Sequence, residues 1–259
     1  MTKFALRNDG VRIAYEISGA GEPVVLVHGF ASDRVQNWRG PGWYQTLNGA
    51  GYQVIALDCR GHGESDKPHE PSMYGHTTMA GDVIAVMQDA GVGKALLMGY
   101  SMGGYISMSL LIKHPELFRK VVIAGVGASY LDLNAAEAAV ADPQRRSAIA
   151  DALLVDDVST IANETARNFR LFADQPGKDR LALAACMRGS RDVFTRDQLS
   201  HSQRPVLVVC GEKDVLTGSP DPLAAAFADG RAVTVPKRDH MTAVGDKVYK
   251  QAVIDFFAA

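Results

Sequence analysis

The sequence predicts an α/β protein: a doubly wound, mainly parallel sheet covered by helices on both faces, with a helical cap inserted between two of its strands. Three observations carry that prediction. Short apolar runs at Pro23–Val27, Gln53–Leu57, Ala95–Met98, Val121–Ala124 and Pro205–Cys210 do not alternate and end in polar or glycine-rich loops. Such runs read as strands buried on both faces. Helical patterns separate them at the spacing that right-handed βαβ crossovers require. Between 128 and 201 no such run appears and helical periodicity replaces it. The expected organisation is therefore a core of residues 1–127 and 202–259 around a cap of residues 128–201.

The remaining elements follow in order. Phe4–Arg7 and Val11–Ile17 alternate roughly on either side of Asn8-Asp9-Gly10, and Asp-Gly between two such runs signals a hairpin. A helix is expected over Trp43–Gly49. Thr77 or Thr78 can cap another, in which Met79, Val83, Val86 and Met87 share one face. In the cap, Ile161, Thr165, Phe169 and Phe172 fall on one helical face, with further helical pieces near Arg145–Leu154 and Leu181–Arg188. A helix around Pro222–Ala228 and a strand over Ala232–Val235 lead to a terminal helix striped by Val248, Ala252, Val253, Phe256 and Phe257.

Composition limits the function classes. At 259 residues, with 47% hydrophobic and 22% charged residues, the chain suits one large domain with a sizeable core. A net charge of −2 gives no cationic footprint for nucleic acid or an anionic membrane, and suggests small, largely uncharged substrates. No apolar segment has the length of a signal peptide or a membrane span. Cys59, Cys186 and Cys210 are odd in number and far apart, so reduced thiols and a cytoplasmic location are expected. Neither a dinucleotide fingerprint nor a metal-ligand cluster is evident, so no cofactor and no metal are expected. A small-molecule substrate is the one partner implied.

The chemistry is concentrated at Gly99-Tyr100-Ser101-Met102-Gly103, which joins the Ala95–Met98 strand to a helix carrying Ile106, Leu110 and Leu111. This is the pattern of a nucleophile elbow, where glycines let strand and helix approach and the serine hydroxyl is lifted clear of the sheet. A serine hydroxyl needs an imidazole to take its proton, and the imidazole needs a carboxylate to fix its tautomer. Asp214 follows the strand ending at Cys210, and His240, the only histidine after Asp214, follows the last strand. Ser101, Asp214 and His240 are the expected catalytic residues. Glu212 and Asp239 are competing acids, with Asp239 expected to point away. Backbone N–H groups of Met102 and Phe30 are the expected oxyanion donors, on position alone. Phe169, Phe172, Phe194 and Val215 are expected to line the substrate pocket.

With these residues in place the chain resembles the α/β-hydrolase-fold superfamily, in its serine-nucleophile, esterase-like branch. The resemblance rests on His28-Gly29-Phe30, Asp58-x-Arg60-Gly61-His62-Gly63-x-Ser65, the elbow, Gly211-Glu212-Lys213-Asp214 and Asp239-His240. It implies a serine hydrolase working through an acyl-enzyme, and the near-neutral charge makes small, largely apolar carboxylic esters or lactones the expected substrates. It also implies that His28, Arg60 and His62 are structural; His69, His76, His114 and His201 are expected at the surface or as caps. Relatives that hydrolyse epoxides or haloalkanes carry an aspartate at the elbow, where this chain has Ser101. Two alternatives share the same triad: a carbon–carbon bond hydrolase, with Arg188 and Arg191 as candidate carboxylate-binding residues, or a perhydrolase-type enzyme. A third is a low-turnover small-molecule receptor.

Overall fold

The computed structural model describes residues 1–131 and 143–259. Eight strands form one sheet: β1 (Lys3–Leu6), β2 (Arg12–Ser18), β3 (Glu22–Val27), β4 (Tyr52–Leu57), β5 (Ala95–Tyr100), β6 (Phe118–Ala124), β7 (Val206–Gly211) and β8 (Gly230–Val235). Their order is β1-β2-β4-β3-β5-β6-β7-β8. The β1–β2 hairpin is antiparallel and β2 meets β4 antiparallel, while β3 through β8 pair in parallel. The doubly wound, mainly parallel sheet predicted from the apolar runs is the sheet observed.

Alternation along β3 shows how the core divides. Val25 and Val27 pack with α2 (His76–Asp89) and α3 (Met102–Lys113) on one face. Val24 and Leu26 pack on the other with α1 (Trp43–Gly49) and the terminal helix. Because both faces are covered, each central strand can be apolar throughout. Between β6 and β7 the chain forms α4 (Pro143–Leu154), α5 (Glu164–Ala173), α6 (Arg180–Arg188) and α7 (Arg196–Ser200). A separate apolar cluster joins α4, α5 and α6, with Phe30 packed against it. The part of the predicted cap from 132 to 142 lies outside the described residues. After β7 come the single turn α8 (Asp221–Ala224) and the terminal α9 (Lys247–Ala258).

Four local expectations are corrected. Gly75, not Thr77 or Thr78, is the N-cap of α2, and the Thr77 hydroxyl instead bonds the Asp192 carboxylate. Ile161 precedes α5, which is capped by the Asn163 side chain on Ala166 N–H. The helix expected at 222–228 is only the four residues of α8. Val248 is 37% exposed at the start of α9, so the buried stripe is carried by Tyr249, Val253, Phe256 and Phe257.

Two buried ion clusters anchor the loops below the site. Arg60 is fully buried and grips Asp82 with two hydrogen bonds of 2.6 Å, while its Nη1 donates to the Met73 carbonyl at 2.7 Å. Arg34 bonds the buried Asp58 and also Glu64. Burial pushes the Asp82 carboxyl upward, and the hydrogen bonds and charge of Arg60 oppose that push. Arg60→Met therefore removes the main support of a buried carboxylate and is expected to cost about 3–5 kcal/mol, read from urea unfolding.

Candidate active site

β5 passes into α3 through Ser101, whose φ of 53° and ψ of −115° are unusual for a residue with a side chain. Two neighbours make that turn possible by having no side chain. A Cβ on Gly99 would lie 2.1 Å from the Gly103 carbonyl oxygen, and one on Gly103 would lie 2.0 Å from that of Val27. Ser101 N–H donates to the Ala124 carbonyl at 2.7 Å, tying the elbow to the end of β6. The hydroxyl is thereby presented at the C-terminal edge of the sheet, beside the N-terminus of α3.

Two loops from that same edge complete the arrangement. His240 Nε2 lies 3.0 Å from Ser101 Oγ, and its Nδ1 lies 2.7 Å from Asp214 Oδ2. The other Asp214 oxygen, Oδ1, accepts from the backbone N–H groups of Leu216 and Thr217 at 3.0 and 3.1 Å. Burial works to raise the Asp214 carboxyl, but the His240 contact and the Thr217 bonds outweigh it and hold the group below its ordinary range. The competing acids are engaged elsewhere: Glu212 accepts from Lys237 N–H, and Asp239 caps Met241 and Thr242.

Tyr100, inside the elbow motif but given no role from sequence, proves to be a support for the histidine. Its hydroxyl donates to the His240 carbonyl, and the two rings lie 5.5 Å apart. Gly125, with φ of 61°, passes beneath the imidazole, where a Cβ would come within 3.1 Å of His240 Cε1. Both contacts join residues far apart in the chain, which no spacing rule links.

Among the described residues no protein acceptor pairs with the backbone N–H of Phe30 or of Met102. Gly29 N–H, by contrast, is taken by the Asn37 side chain at 3.1 Å. Ser101 and His240 open onto a cleft of about 830 Å3 whose walls include Phe30, Phe169, Phe172 and Val215. Ser101 and His240 also border a second, smaller cavity of about 130 Å3 that reaches Arg191. Phe194 lines neither space. It is buried in the main core, with its N–H bonded to Tyr130 and Lys113 over its ring. Arg188 pairs with Asp151 at 2.6 Å and is also absent from both walls.

The histidines near the site divide cleanly. His28 is buried, donating from Nδ1 to the Gly29 carbonyl and accepting at Nε2 from Cys59 N–H, so it braces the ends of β3 and β4. His62 is also buried, with Nδ1 on the Arg60 carbonyl and its ring edge-on to Phe30. His69, His114 and His201 are exposed or partly so, but His76 is not: it is 1% exposed and belongs to the wall of the smaller cavity. Burial drives both His62 and His76 down to about 3, so each stays neutral in the fold. The unfolded chain binds protons at both once pH falls below about 6.5. Stability is accordingly expected to fall as pH drops from 6.5 towards 3. Urea titrations between pH 7 and 4 should show this slope, and a shallower one in His62→Gln.

The family model for the alpha/beta hydrolase fold matches residues 22–174. The chain belongs to this family. As an α/β hydrolase it is 29% identical over 117 residues to epoxide hydrolase 3 of Siraitia grosvenorii, a match covering 45% of this chain and 36% of that protein. The chain thus spans little more than a third of that relative's length. It is 27% identical over 230 residues to a Bacillus subtilis (strain 168) protein provisionally named 2-succinyl-6-hydroxy-2,4-cyclohexadiene-1-carboxylate synthase, covering 80% of each. Among solved structures, a hydrolase from Pseudomonas aeruginosa PA01 superposes with a TM-score of 0.81 at 25% identity, over 100% of this chain and 98% of that one.

Proposed function

We propose that the protein is a serine hydrolase that cleaves small carboxylic esters or lactones through an acyl-enzyme. The observation that supports this most is the continuous contact from Ser101 Oγ through His240 to Asp214 at the mouth of an apolar cleft. Ser101 Oγ attacks the ester carbonyl while His240 Nε2 takes its proton. The carbonyl oxygen becomes negative within reach of the Phe30 and Met102 N–H groups, each such donor being worth about 3 kcal/mol in the transition state. His240 then gives the proton to the departing alcohol. Water, activated by the same imidazole, attacks the acyl-enzyme and releases the acid and the free serine. Asp214 holds the imidazole in the tautomer with the proton on Nδ1.

In this reading residues 128–201 cap the cleft and the remainder is the catalytic core. The epoxide hydrolase likeness does not extend to the chemistry. Opening an epoxide by the route of relatives with an elbow aspartate needs a carboxylate nucleophile, and the elbow here carries Ser101. Phe169 and Phe172 from α5 give the larger cleft an apolar wall suited to an uncharged group. A p-nitrophenyl ester series from acetate to decanoate tests the reading. Brisk turnover of the short esters is expected, and no turnover of any member would count against it.

A further inference from the structure

The smaller cavity differs from the cleft in charge. Its lining joins Ser101 and Met102 with His76, Arg146 and Arg191. Among the described residues its lining includes no aspartate or glutamate. The Arg191 guanidinium donates to three backbone carbonyls, Cys186 at 2.8 Å, Ser190 at 3.1 Å and Gly189 at 3.2 Å. Arg146 Nη1 reaches the same Gly189 carbonyl at 3.0 Å. Neutral carbonyls aim a guanidinium without cancelling its charge, and among the described residues Arg191 makes no ion pair. The acid nearest in sequence, Asp192, is taken up by Lys113 at 2.9 Å and Ser109 at 2.7 Å.

His76 adds a donor. Its ring stacks on Tyr105 with an interplanar angle of 5°. Nδ1 accepts from Asp192 N–H at 3.2 Å, which places the imidazole proton on Nε2. That Nε2 is buried and has no partner among the described residues. A buried N–H donor without an acceptor, in a cavity that also holds two guanidinium groups, fits an anionic acceptor supplied from outside.

We propose that this cavity binds a carboxylate carried on the acyl part of the substrate, so that the preferred esters are those of short dicarboxylic acids. The inference rests on the acyl-enzyme reading above. The acyl group stays on Ser101 while the alcohol must leave, so the small cavity beside Met102 suits the acyl chain and the large cleft suits the alcohol. A chain-wide charge of −2 does not show the Arg191 guanidinium placed at this cavity.

The test compares monoethyl succinate with ethyl 4-methylpentanoate, which replaces the carboxylate by an isopropyl group of similar shape. Rates are followed by pH-stat for the wild type, Arg191→Met and Arg191→Lys. The wild type should favour the succinate ester by about tenfold or more in kcat/KM; Arg191→Met should erase that ratio and Arg191→Lys should keep part of it. A wild-type preference for the neutral ester, or a ratio unmoved in Arg191→Met, overturns the proposal. Preference for carboxymethyl butyrate, whose carboxylate lies on the alcohol, overturns the acyl assignment. Calorimetric binding of monoethyl succinate to Ser101→Ala separates this inference from the hydrolase reading. If neither ester is hydrolysed yet binding weakens about tenfold on adding Arg191→Met, the carboxylate site stands and the esterase falls. No binding to Ser101→Ala rejects the site.

Discussion

Replacing Ser101 by alanine is expected to reduce hydrolysis of p-nitrophenyl acetate by at least about 10⁴-fold while the protein stays folded. In the proposed mechanism the hydroxyl forms the bond to the acyl group, and among the described residues no other side-chain oxygen contacts His240 Nε2, which Ser101 Oγ approaches to 3.0 Å. Alanine at this position keeps the strained φ of 53° but adds no new clash, since it only removes Oγ. The residue of activity left should resemble that of the cleft and the N–H donors acting alone. A thermal melt within a few degrees of the wild type, measured on the same sample, separates lost chemistry from lost fold.

Asp214→Asn is expected to lower kcat by about 10³- to 10⁴-fold, and the reason lies in the second oxygen. Oδ1 accepts two backbone N–H groups, from Leu216 and Thr217, so that position must remain an oxygen in the variant. The amide NH2 is then forced to the Oδ2 position, 2.7 Å from His240 Nδ1. Two donors cannot share that contact. His240 responds by moving its proton to Nε2, where it can no longer accept from Ser101. Steady-state kinetics of Asp214→Asn beside Asp214→Ala reads this directly: the asparagine should be no better than the alanine despite its closer shape.

Much of this architecture was legible because it is written in local runs. The elbow announces itself through Gly99 and Gly103, whose absent side chains are required by carbonyl oxygens about 2 Å from where a Cβ would sit. The meeting of Asp214 and His240 is legible in their order after two strands, since parallel strands deliver successive loops to one edge. Tyr100, Gly125 and Arg146 escaped notice because each acts across the fold on a partner far away in sequence. His76 departs from the expected surface or capping position for the same reason. It opens a helix, which suggests exposure, yet a tyrosine on the neighbouring helix covers it. Phe194 shows the reverse failure: an aromatic residue near a cap need not face the cleft, and this one packs in the core.

The acyl-enzyme on Ser101 is the centre of the account, and covalent labelling tests it most directly. The native protein, shown to be active on a short p-nitrophenyl ester, is treated with an alkyl fluorophosphonate and its peptides are analysed by mass spectrometry. The account predicts one phosphonyl group per chain, carried by the peptide containing Ser101, with loss of activity in step with labelling and little labelling in His240→Ala. Full activity in the presence of the reagent, or inactivation with the label on another residue, would contradict it.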